Sequence, residues 1–332
     1  MSRAAAYAEK ENDGIRCLLC PQNCLLGSGS VGLCGARKNN GARLESLIYG
    51  EVSSQALDPI EKKPLYHFYP ASGIFSVGTV GCNLKCPYCQ NWTISQQREQ
   101  ATKFYSPKDL AEAALRQGAI GVAYTYSEPI IWAEFVLDAA KEAAACGLKN
   151  VLVTNGLANP TPWKDLLKVT DALNIDLKTF SKETFARVHK GKLQNVLQNI
   201  EAAYAAGRHV EITTLVVTGI NDNADELAAI AKYIGSIDKN IPWHLTAYRP
   251  AWKYNKPPTD VNFLLAAAKA AAQELNYVYC GNTAVGANTL CPNCNATLVE
   301  RSGFYAKVTG IDKSEGKAVC AACGWEINIV LP

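Results

Sequence analysis

The sequence predicts an α/β fold: a partial (β/α)6 TIM-like barrel between two small cysteine-containing domains. Three observations predict it. Short apolar segments alternate with amphipathic helical segments from about residue 74 to residue 283, eleven of the thirteen cysteines fall into three tight groups, and the helical pattern stops beyond residue 285. Such alternation is typical of a parallel sheet, and about six βα units fit a barrel better than an open doubly wound sheet.

The predicted barrel occupies residues 71–284. Its strands are expected in the apolar segments IFSVGTV, IGVAYTY, NVLVTNG, ALNIDLK, HVEITTLVVTG, PWHLTAY and YVYCG. Helices are expected between them, at 107–117, 128–146, 161–169, 192–206, 223–236 and 260–275.

The two flanking segments carry the remaining cysteine groups. Residues 1–70 contain the first group among Gly and Ser residues, and the connector DPIEKKPLYHFYPASG reads as an extended, proline-punctuated stretch. Residues 285–332 contain two CxxC pairs separated by a β-rich stretch, which is typical of a zinc-ribbon-like domain.

Composition narrows the functional classes. The chain has 332 residues, 48% hydrophobic and 19% charged, as in an ordinary soluble globular protein. Its net charge of +3 is too small to indicate nucleic acid or a membrane surface as a partner. The first sixteen residues lack an apolar segment, and no later run is long enough to span a bilayer, so we expect a cytoplasmic protein. Eleven of thirteen cysteines in tight groups, in a reducing compartment, indicate metal sites rather than disulfides.

The central group, GCNLKCPYCQNW, has the spacing C-x3-C-x2-C at Cys82, Cys86 and Cys89 and directly follows a predicted strand. The carboxyl ends of strands are where parallel barrels keep their chemistry. Three thiolates can hold three irons of a [4Fe–4S] cluster and leave the fourth iron open to a molecule with an amine and a carboxylate. The alternatives are a three-cysteine zinc site completed by a distant histidine, or a reduced buried trio.

This loop resembles the CxxxCxxC signature of radical S-adenosylmethionine (SAM) enzymes, in particular the branch around pyruvate formate-lyase activating enzyme. The segments AYTYSEP, VTNG, IDLK and PWHLTAYRP resemble the later strand ends of that family. Nearly the whole chain is similar to the AmmeMemoRadiSam-system subfamily, which shares CxxCPxxC…GxCGxR, DPIEKKPLYHF, GTVGCNxxCxxCQNWxIS and a terminal CPxC…CxxCG.

The resemblance implies a radical SAM enzyme. Cys82, Cys86 and Cys89 would ligate a [4Fe–4S] cluster, and SAM would be reductively cleaved there to a 5′-deoxyadenosyl radical that abstracts hydrogen from an unidentified small-molecule or protein substrate. An electron donor such as flavodoxin or ferredoxin is implied, and no catalytic residue is assigned beyond the cluster and SAM. The alternatives are an activase of a glycyl radical enzyme and, from another class, a non-catalytic zinc-rich interaction protein.

The resemblance also implies residues that bind SAM: Tyr88, Ser127, Glu128, Thr154, Asn155, Asp176, Lys178 and His244. For several of them a purely structural role competes. Tyr88 could be a packing residue, Asp176 and Lys178 could form a salt bridge in the barrel lumen, and His244 could be a satisfied core histidine. Thr154 and Asn155 could belong to a tight turn, and Glu128 is expected to anchor its loop.

The two four-cysteine groups predict closed metal sites. Cys291, Cys294, Cys320 and Cys323 favour structural zinc, with rubredoxin-like iron as the alternative. For Cys17, Cys20, Cys24 and Cys34 the knuckle-like Cys20-Pro21 and Cys34-Gly35 favour zinc, but an auxiliary iron–sulfur cluster has the same ligands, and spacing alone does not decide. The remaining cysteines, Cys146 and Cys280, read as packing residues.

Overall fold

The centre of the computed structural model, which describes residues 3–97, 99–285 and 287–332, is a single mainly parallel sheet. We number its seven parallel strands β1–β7 in chain order: Gly73–Gly78, Gly121–Tyr124, Lys149–Thr154, Ala172–Asp176, His209–Val216, Trp243–Ala247 and Val278–Gly281. Each strand pairs with the next along the chain, so the strand order never reverses. A doubly wound sheet requires such a reversal. The winding is that of a partial barrel, and the predicted fold class is confirmed.

Six helices connect the strands. In chain order, α1–α6 cover Pro107–Arg116, Ala133–Ala145, Pro160–Lys168, Leu193–Ala205, Ala224–Ile237 and Val261–Ala271. Their starts follow local chemistry. The Ser106 side chain accepts a hydrogen bond from the Asp109 amide in a capping box, and the Asn223 side chain accepts hydrogen bonds from the Asp225 and Glu226 amides at the start of α5. Shorter helical turns lie at Ile60–Lys62, Trp92–Gln96, Pro129–Trp132, Lys182–Thr184 and Phe185–His189.

The amino-terminal domain consists of short antiparallel strands packed against the barrel. The strands are Arg3–Ala4, Ala8–Glu11, Gly14–Cys17, Leu25–Leu26, Arg37–Asn39, Leu44–Ser46 and Glu51–Val52, the last pairing with Lys103–Phe104. Ile15, Leu19 and Ala36 are buried in the same hydrophobic core as the barrel strands and helices. The four-cysteine segment is therefore fixed on the barrel by a shared core.

The connector does more than join two domains. Ser54–Pro59 pairs antiparallel with β1 and extends the barrel sheet by an eighth, edge strand. The following residues cross the amino-terminal end of the barrel, where Pro64 O accepts a hydrogen bond from Asn174 Nδ2 at 2.7 Å. The predicted extended stretch is thus partly a sheet strand and partly a cover for the barrel.

The carboxy-terminal domain is a small antiparallel unit with its own core. Its strands are Thr289–Leu290, Thr297–Ser302, Tyr305–Val308, Ile311–Ser314 and Lys317–Cys320. Leu298, Val299 and Ile327 are buried together with Cys291 and Cys320 in a cluster separate from the barrel core. Within the described residues, no helix combines the length and apolar character that a membrane span requires.

Candidate active site

The loop that carries Cys82, Cys86 and Cys89 begins just after β1 ends, at the carboxyl end of the barrel strands. Gly81 introduces it with a φ of +98°. A Cβ atom at this position would lie 2.4 Å from the carbonyl oxygen of Cys34, so the close approach of the amino-terminal domain requires glycine here.

Each sulfur of this loop has a polar neighbour. Cys82 Sγ accepts from the Leu84 amide at 3.4 Å, Cys89 Sγ lies 3.2 Å from Ser95 Oγ, and Cys86 Sγ lies 3.3 Å from His189 Nδ1. Burial raises the pKa of the Cys86 thiol to about 12, so binding of iron there releases a proton.

The distances between sulfur atoms distinguish the carboxy-terminal cysteine group from the other two. Among the described His, Cys, Asp and Glu side chains, a single group of three or more has all its possible ligand atoms within 4.8 Å of one another. This group is Cys291, Cys294, Cys320 and Cys323. Its sulfurs approach to 3.7 Å in two pairs. Zn–S bonds of about 2.3 Å place tetrahedral thiolates about 3.8 Å apart, so this group fits a single metal ion.

The sulfurs of the loop after β1 are spread more widely. The sulfur atoms of Cys82, Cys86 and Cys89, all of them described residues, do not all lie within 4.8 Å of one another, whereas those of the carboxy-terminal group do. A cubane cluster requires such spreading, because each thiolate binds its own iron at a separate corner. Three thiolates, wide spacing and a polar neighbour for each sulfur fit a [4Fe–4S] cluster with one open iron.

Glu128 ties the loop after β2 to the end of β3. Its carboxylate, 2% exposed, accepts hydrogen bonds from Thr154 Oγ1 at 2.6 Å, the Asn155 amide at 2.9 Å and the Ile130 amide at 3.0 Å. Burial raises the pKa of Glu128 to about 7. The side chain of Asn155 in turn donates to Asn83 Oδ1 at 2.8 Å, so this network supports the cysteine loop directly.

Asp176 and Lys178 form a salt bridge of 2.6 Å at the end of β4. Burial alone would lower the pKa of Lys178, but the Asp176 carboxylate and the Cys86 sulfur raise it above its ordinary value. The ammonium group is therefore a fixed positive charge beside the cysteine loop. These are the contacts expected of the salt-bridge alternative, and they leave the pair beside the cysteine loop.

Two more predicted residues surround the loop. Tyr88 is 2% exposed and packs edge-on against His189 at a ring-centroid distance of 5.7 Å. Ser127 is half-buried in the turn after β2, where its amide donates to the Thr125 carbonyl at 2.8 Å. Tyr88 has the contacts expected of the packing alternative.

His244 has contacts of a different kind. Its Nε2 lies 2.7 Å from Glu211 Oε2, and its ring stacks on Tyr279 at 5.3 Å and meets Tyr66 edge-on. These partners line the amino-terminal end of the barrel, beneath the connector. The contacts are those of the core-histidine alternative, and we leave His244 out of the proposed SAM site.

Sequence reasoning missed His189, although it contacts a cysteine of the loop. This residue ends the helical turn Phe185–His189, is fully buried, and lies 103 positions from Cys86. No spacing rule connects the two residues, so only the folded chain reveals the contact.

Comparison with known proteins places the cysteine loop in a described family. Residues 76–234 match the Radical SAM superfamily. The whole chain is 39% identical to an uncharacterized protein of Methanocaldococcus jannaschii, all of which is covered. A GTP 3′,8-cyclase of Geobacter sulfurreducens is 34% identical over 52% of this chain and 54% of the cyclase, so the chain spans about half of that protein. A pyruvate formate-lyase-activating enzyme of Staphylococcus epidermidis is 24% identical over 51% of this chain and 72% of that enzyme.

Proposed function

Because the chain belongs to the radical SAM superfamily, we propose that Cys82, Cys86 and Cys89 hold a [4Fe–4S] cluster whose open iron chelates the amine and carboxylate of SAM. The chain is a radical SAM enzyme. When bound there, a reduced cluster would supply the one electron needed to cleave SAM to methionine and a 5′-deoxyadenosyl radical, and this radical would take a hydrogen atom from a small-molecule or protein substrate.

The chain's own residues position and shield this chemistry. Glu128 anchors Thr154 and the Asn155 amide, and the Asn155 side chain holds Asn83 next to Cys82. Lys178, fixed by Asp176, provides a positive charge that offsets the thiolates and the carboxylate of SAM. Ser127 is proposed to contribute backbone contacts to SAM, and Tyr88 to pack behind the loop.

The observation that carries this proposal is a loop with three thiols, not all within 4.8 Å of one another, directly after the first barrel strand. A reductant of the flavodoxin or ferredoxin type is proposed as electron donor, and a reducing compartment such as the cytoplasm as the location. Zinc is proposed at the carboxy-terminal four-cysteine group, where the sulfur spacing fits one ion.

The test is anaerobic reconstitution with iron and sulfide, followed by dithionite and SAM, with 5′-deoxyadenosine as the measured product. Cys86→Ala should reduce product formation at least about a hundredfold, because the cluster loses one of three ligands. Cys146→Ala is the matched control. The prediction that Cys146 is a packing residue is wrong, because Cys146 caps the carboxyl end of α2 and is exposed there. Equal product from wild type and Cys86→Ala would overturn the proposal.

The match to an activating enzyme favours one particular substrate class as a second candidate, a glycine residue of a partner protein. In that case co-incubation with the partner and SAM gives a glycyl radical doublet in the EPR spectrum. Production of 5′-deoxyadenosine with every candidate partner but without a protein radical would exclude this activase role and leave direct modification of a substrate.

A further inference from the structure

We infer that the amino-terminal cysteines bind a second [4Fe–4S] cluster, ligated by four thiolates, that delivers electrons to the catalytic cluster. The ligands are Cys17, Cys20, Cys24 and Cys34. The identity of this metal site does not depend on the proposed function, whereas its role as an electron relay rests on the proposed function.

Sulfur spacing supports a cluster over a single zinc ion. Among the described residues, no three of these four thiols lie within 4.8 Å of one another, whereas all four carboxy-terminal thiols do. Tetrahedral zinc would hold its thiolates about 3.8 Å apart. The amino-terminal group therefore shares the wide spacing of Cys82, Cys86 and Cys89, where each sulfur binds a separate iron.

All four amino-terminal cysteines line the same small cavity. The cavity is lined by all four cysteines together with Leu19, Leu26, Ile131 and other residues of the domain interface. Cys17 and Cys20 are each 8% exposed. A small cavity lined by four cysteines and apolar side chains is the environment that iron–sulfur clusters occupy in proteins.

A buried cation completes the site. Arg37 lines the same cavity and is 1% exposed. Its Nη1 donates to the Ala6 carbonyl at 2.8 Å and its Nη2 to Glu134, but its Nε has no hydrogen-bond partner. A buried donor without a partner is costly. An anionic cluster in this cavity would provide the missing acceptor and neutralise the guanidinium.

The proposed site adjoins the catalytic loop. Asn83, the neighbour of Cys82, also lines the cavity of the amino-terminal cysteines. Gln22 Nε2 donates to the Asn83 carbonyl at 3.0 Å, and the Cys34 carbonyl packs against Gly81. The residues on both sides of Cys82 thus contact the amino-terminal cysteine site, which provides a short path between the clusters.

Four thiolates leave no open iron, so this cluster does not chelate SAM or substrate, and electron transfer is the chemistry that remains. One electron passes from a reduced flavodoxin or ferredoxin, which is thereby oxidised, to the amino-terminal cluster. It then passes to the catalytic cluster and finally to SAM, and the amino-terminal cluster returns to its oxidised state. Leu33 lines the cavity and is 40% exposed, so the site lies near the surface, within reach of a protein donor.

Metal analysis of the full-length protein tests the identity of the site. After anaerobic expression with both iron and zinc supplied, the wild type should contain about eight irons, eight sulfides and one zinc per chain. The variant Cys82→Ala/Cys86→Ala/Cys89→Ala should keep about four irons and the EPR signal of a reduced [4Fe–4S] cluster. Two zincs per chain with no iron or sulfide in this variant would overturn the inference, even if wild type still makes 5′-deoxyadenosine.

Further substitution in that background assigns the ligands. Adding Cys20→Ser and Cys34→Ser should remove the remaining irons and the EPR signal, whereas adding Cys146→Ser should leave both. Circular dichroism establishes that the proteins are folded. Retention of the EPR signal in the Cys20→Ser/Cys34→Ser protein would contradict the assignment.

The relay is tested by comparing electron donors. In an otherwise wild-type chain, Cys20→Ser/Cys34→Ser should lower the ratio of SAM cleavage with reduced flavodoxin to SAM cleavage with dithionite at least tenfold. Cys146→Ser should leave this ratio at the wild-type value. An unchanged ratio in the cluster-deficient variant would show that electrons reach the catalytic cluster without this site.

Discussion

A hydrogen bond to a cluster sulfur tunes the reduction potential of the iron, and His189 is placed to make one. Its Nδ1 lies 3.3 Å from Cys86 Sγ, in a fully buried setting. In the neutral tautomer that carries its proton on Nδ1, Nδ1 donates to the sulfur and Nε2 can only accept. This Nε2 has no hydrogen-bond partner among the described residues. A donor at this sulfur stabilises the reduced, more negative cluster.

Replacement of His189 should therefore make the catalytic cluster harder to reduce. On a net hydrogen-bond contribution of about 0.5–1.5 kcal/mol, His189→Leu should lower the midpoint potential by roughly 20–60 mV. The measurement is an EPR-monitored redox titration, in which the catalytic cluster is identified by its response to SAM. His189→Asn, which can keep a donor near the position of Nδ1, is the matched control and should restore most of the loss. Identical potentials in all three proteins would contradict this role.

The contacts of individual site residues were the feature of the site that the sequence predicted least completely. The three cysteines of the loop could be singled out as candidate ligands because their spacing is local, within eight positions. His189 reaches Cys86 across 103 positions, so nothing in the spacing identified it. His244 was predicted from a strand-end motif, but its partner Glu211 lies on the neighbouring strand, and that pairing is a property of the folded sheet.

At the scale of elements, Glu211 holds three parts of the barrel together. Its buried carboxylate, on β5, accepts from the backbone amides of Tyr66 and His67 in the connector at 3.0 and 2.7 Å. It also bonds His209 on the same strand at 2.9 Å and His244 on β6 at 2.7 Å. The carboxylate thereby fixes the connector across the amino-terminal end of the barrel.

Loss of this carboxylate should be strongly destabilising. Glu211→Gln replaces an oxygen that accepts two hydrogen bonds with an amide that donates, and we expect a loss of about 3–5 kcal/mol in the free energy of unfolding at pH 7. Urea unfolding under anaerobic conditions measures it. Glu142→Gln, at an exposed position of α2, is the control and should change stability by less than about 0.5 kcal/mol.

The same carboxylate predicts a pH dependence. Burial alone would raise the pKa of Glu211, but the hydrogen bonds from His209 and His244 hold it well below its ordinary value. A lowered pKa in the folded state gives stability that is present above the unfolded pKa of about 4.3 and is lost as the pH falls below it. The stability difference between wild type and Glu211→Gln should therefore shrink from pH 6 to pH 3. A difference that stays constant over this range would contradict the argument.

Elements with strong hydrophobic periodicity were predicted well. All seven barrel strands and all six long helices lie where the alternation of apolar and polar residues placed them, because their burial pattern is set by their own sequence. The edge strand Ser54–Pro59 was predicted as an irregular connector. It contains Pro59 and alternates exposed with half-buried residues, and its strand character comes from pairing with β1 rather than from its own pattern.

At the scale of the whole molecule, the two four-cysteine domains occupy opposite ends of the barrel. The amino-terminal domain contacts the cysteine loop at the carboxyl end of the strands. The carboxy-terminal domain contacts the amino-terminal end, where the Arg301 guanidinium donates to the Tyr66 carbonyl at 2.7 Å and His67 Nδ1 donates to the Asn328 carbonyl at 2.7 Å. The carboxy-terminal four-cysteine domain therefore lies at the end of the barrel opposite the cysteine loop and supports the cover of the barrel.

The carboxy-terminal domain should depend on its metal for folding, because its separate core contains few buried residues. Small domains with such cores are stabilised by bound zinc, whose binding free energy is also folding free energy. We expect Cys291→Ser/Cys320→Ser to release zinc and unfold residues 287–332 while the barrel persists. Timed trypsin digestion with mass spectrometry should then show cleavage at the exposed Lys307, Lys313 and Lys317 at least about tenfold faster than in wild type.

This variant also separates structure from catalysis. SAM cleavage with dithionite should remain in the barrel fragment, since the cysteine loop and its supporting residues Glu128 and Asn155 lie at the other end and belong to a different core. Cys146→Ser is the control for both readouts and should match wild type. If the variant keeps its zinc and its resistance to trypsin, the domain folds without these ligands. If 5′-deoxyadenosine formation disappears together with the carboxy-terminal domain, the two ends of the barrel are coupled. Glu211, which holds the connector to the barrel strands, would then be the link between them.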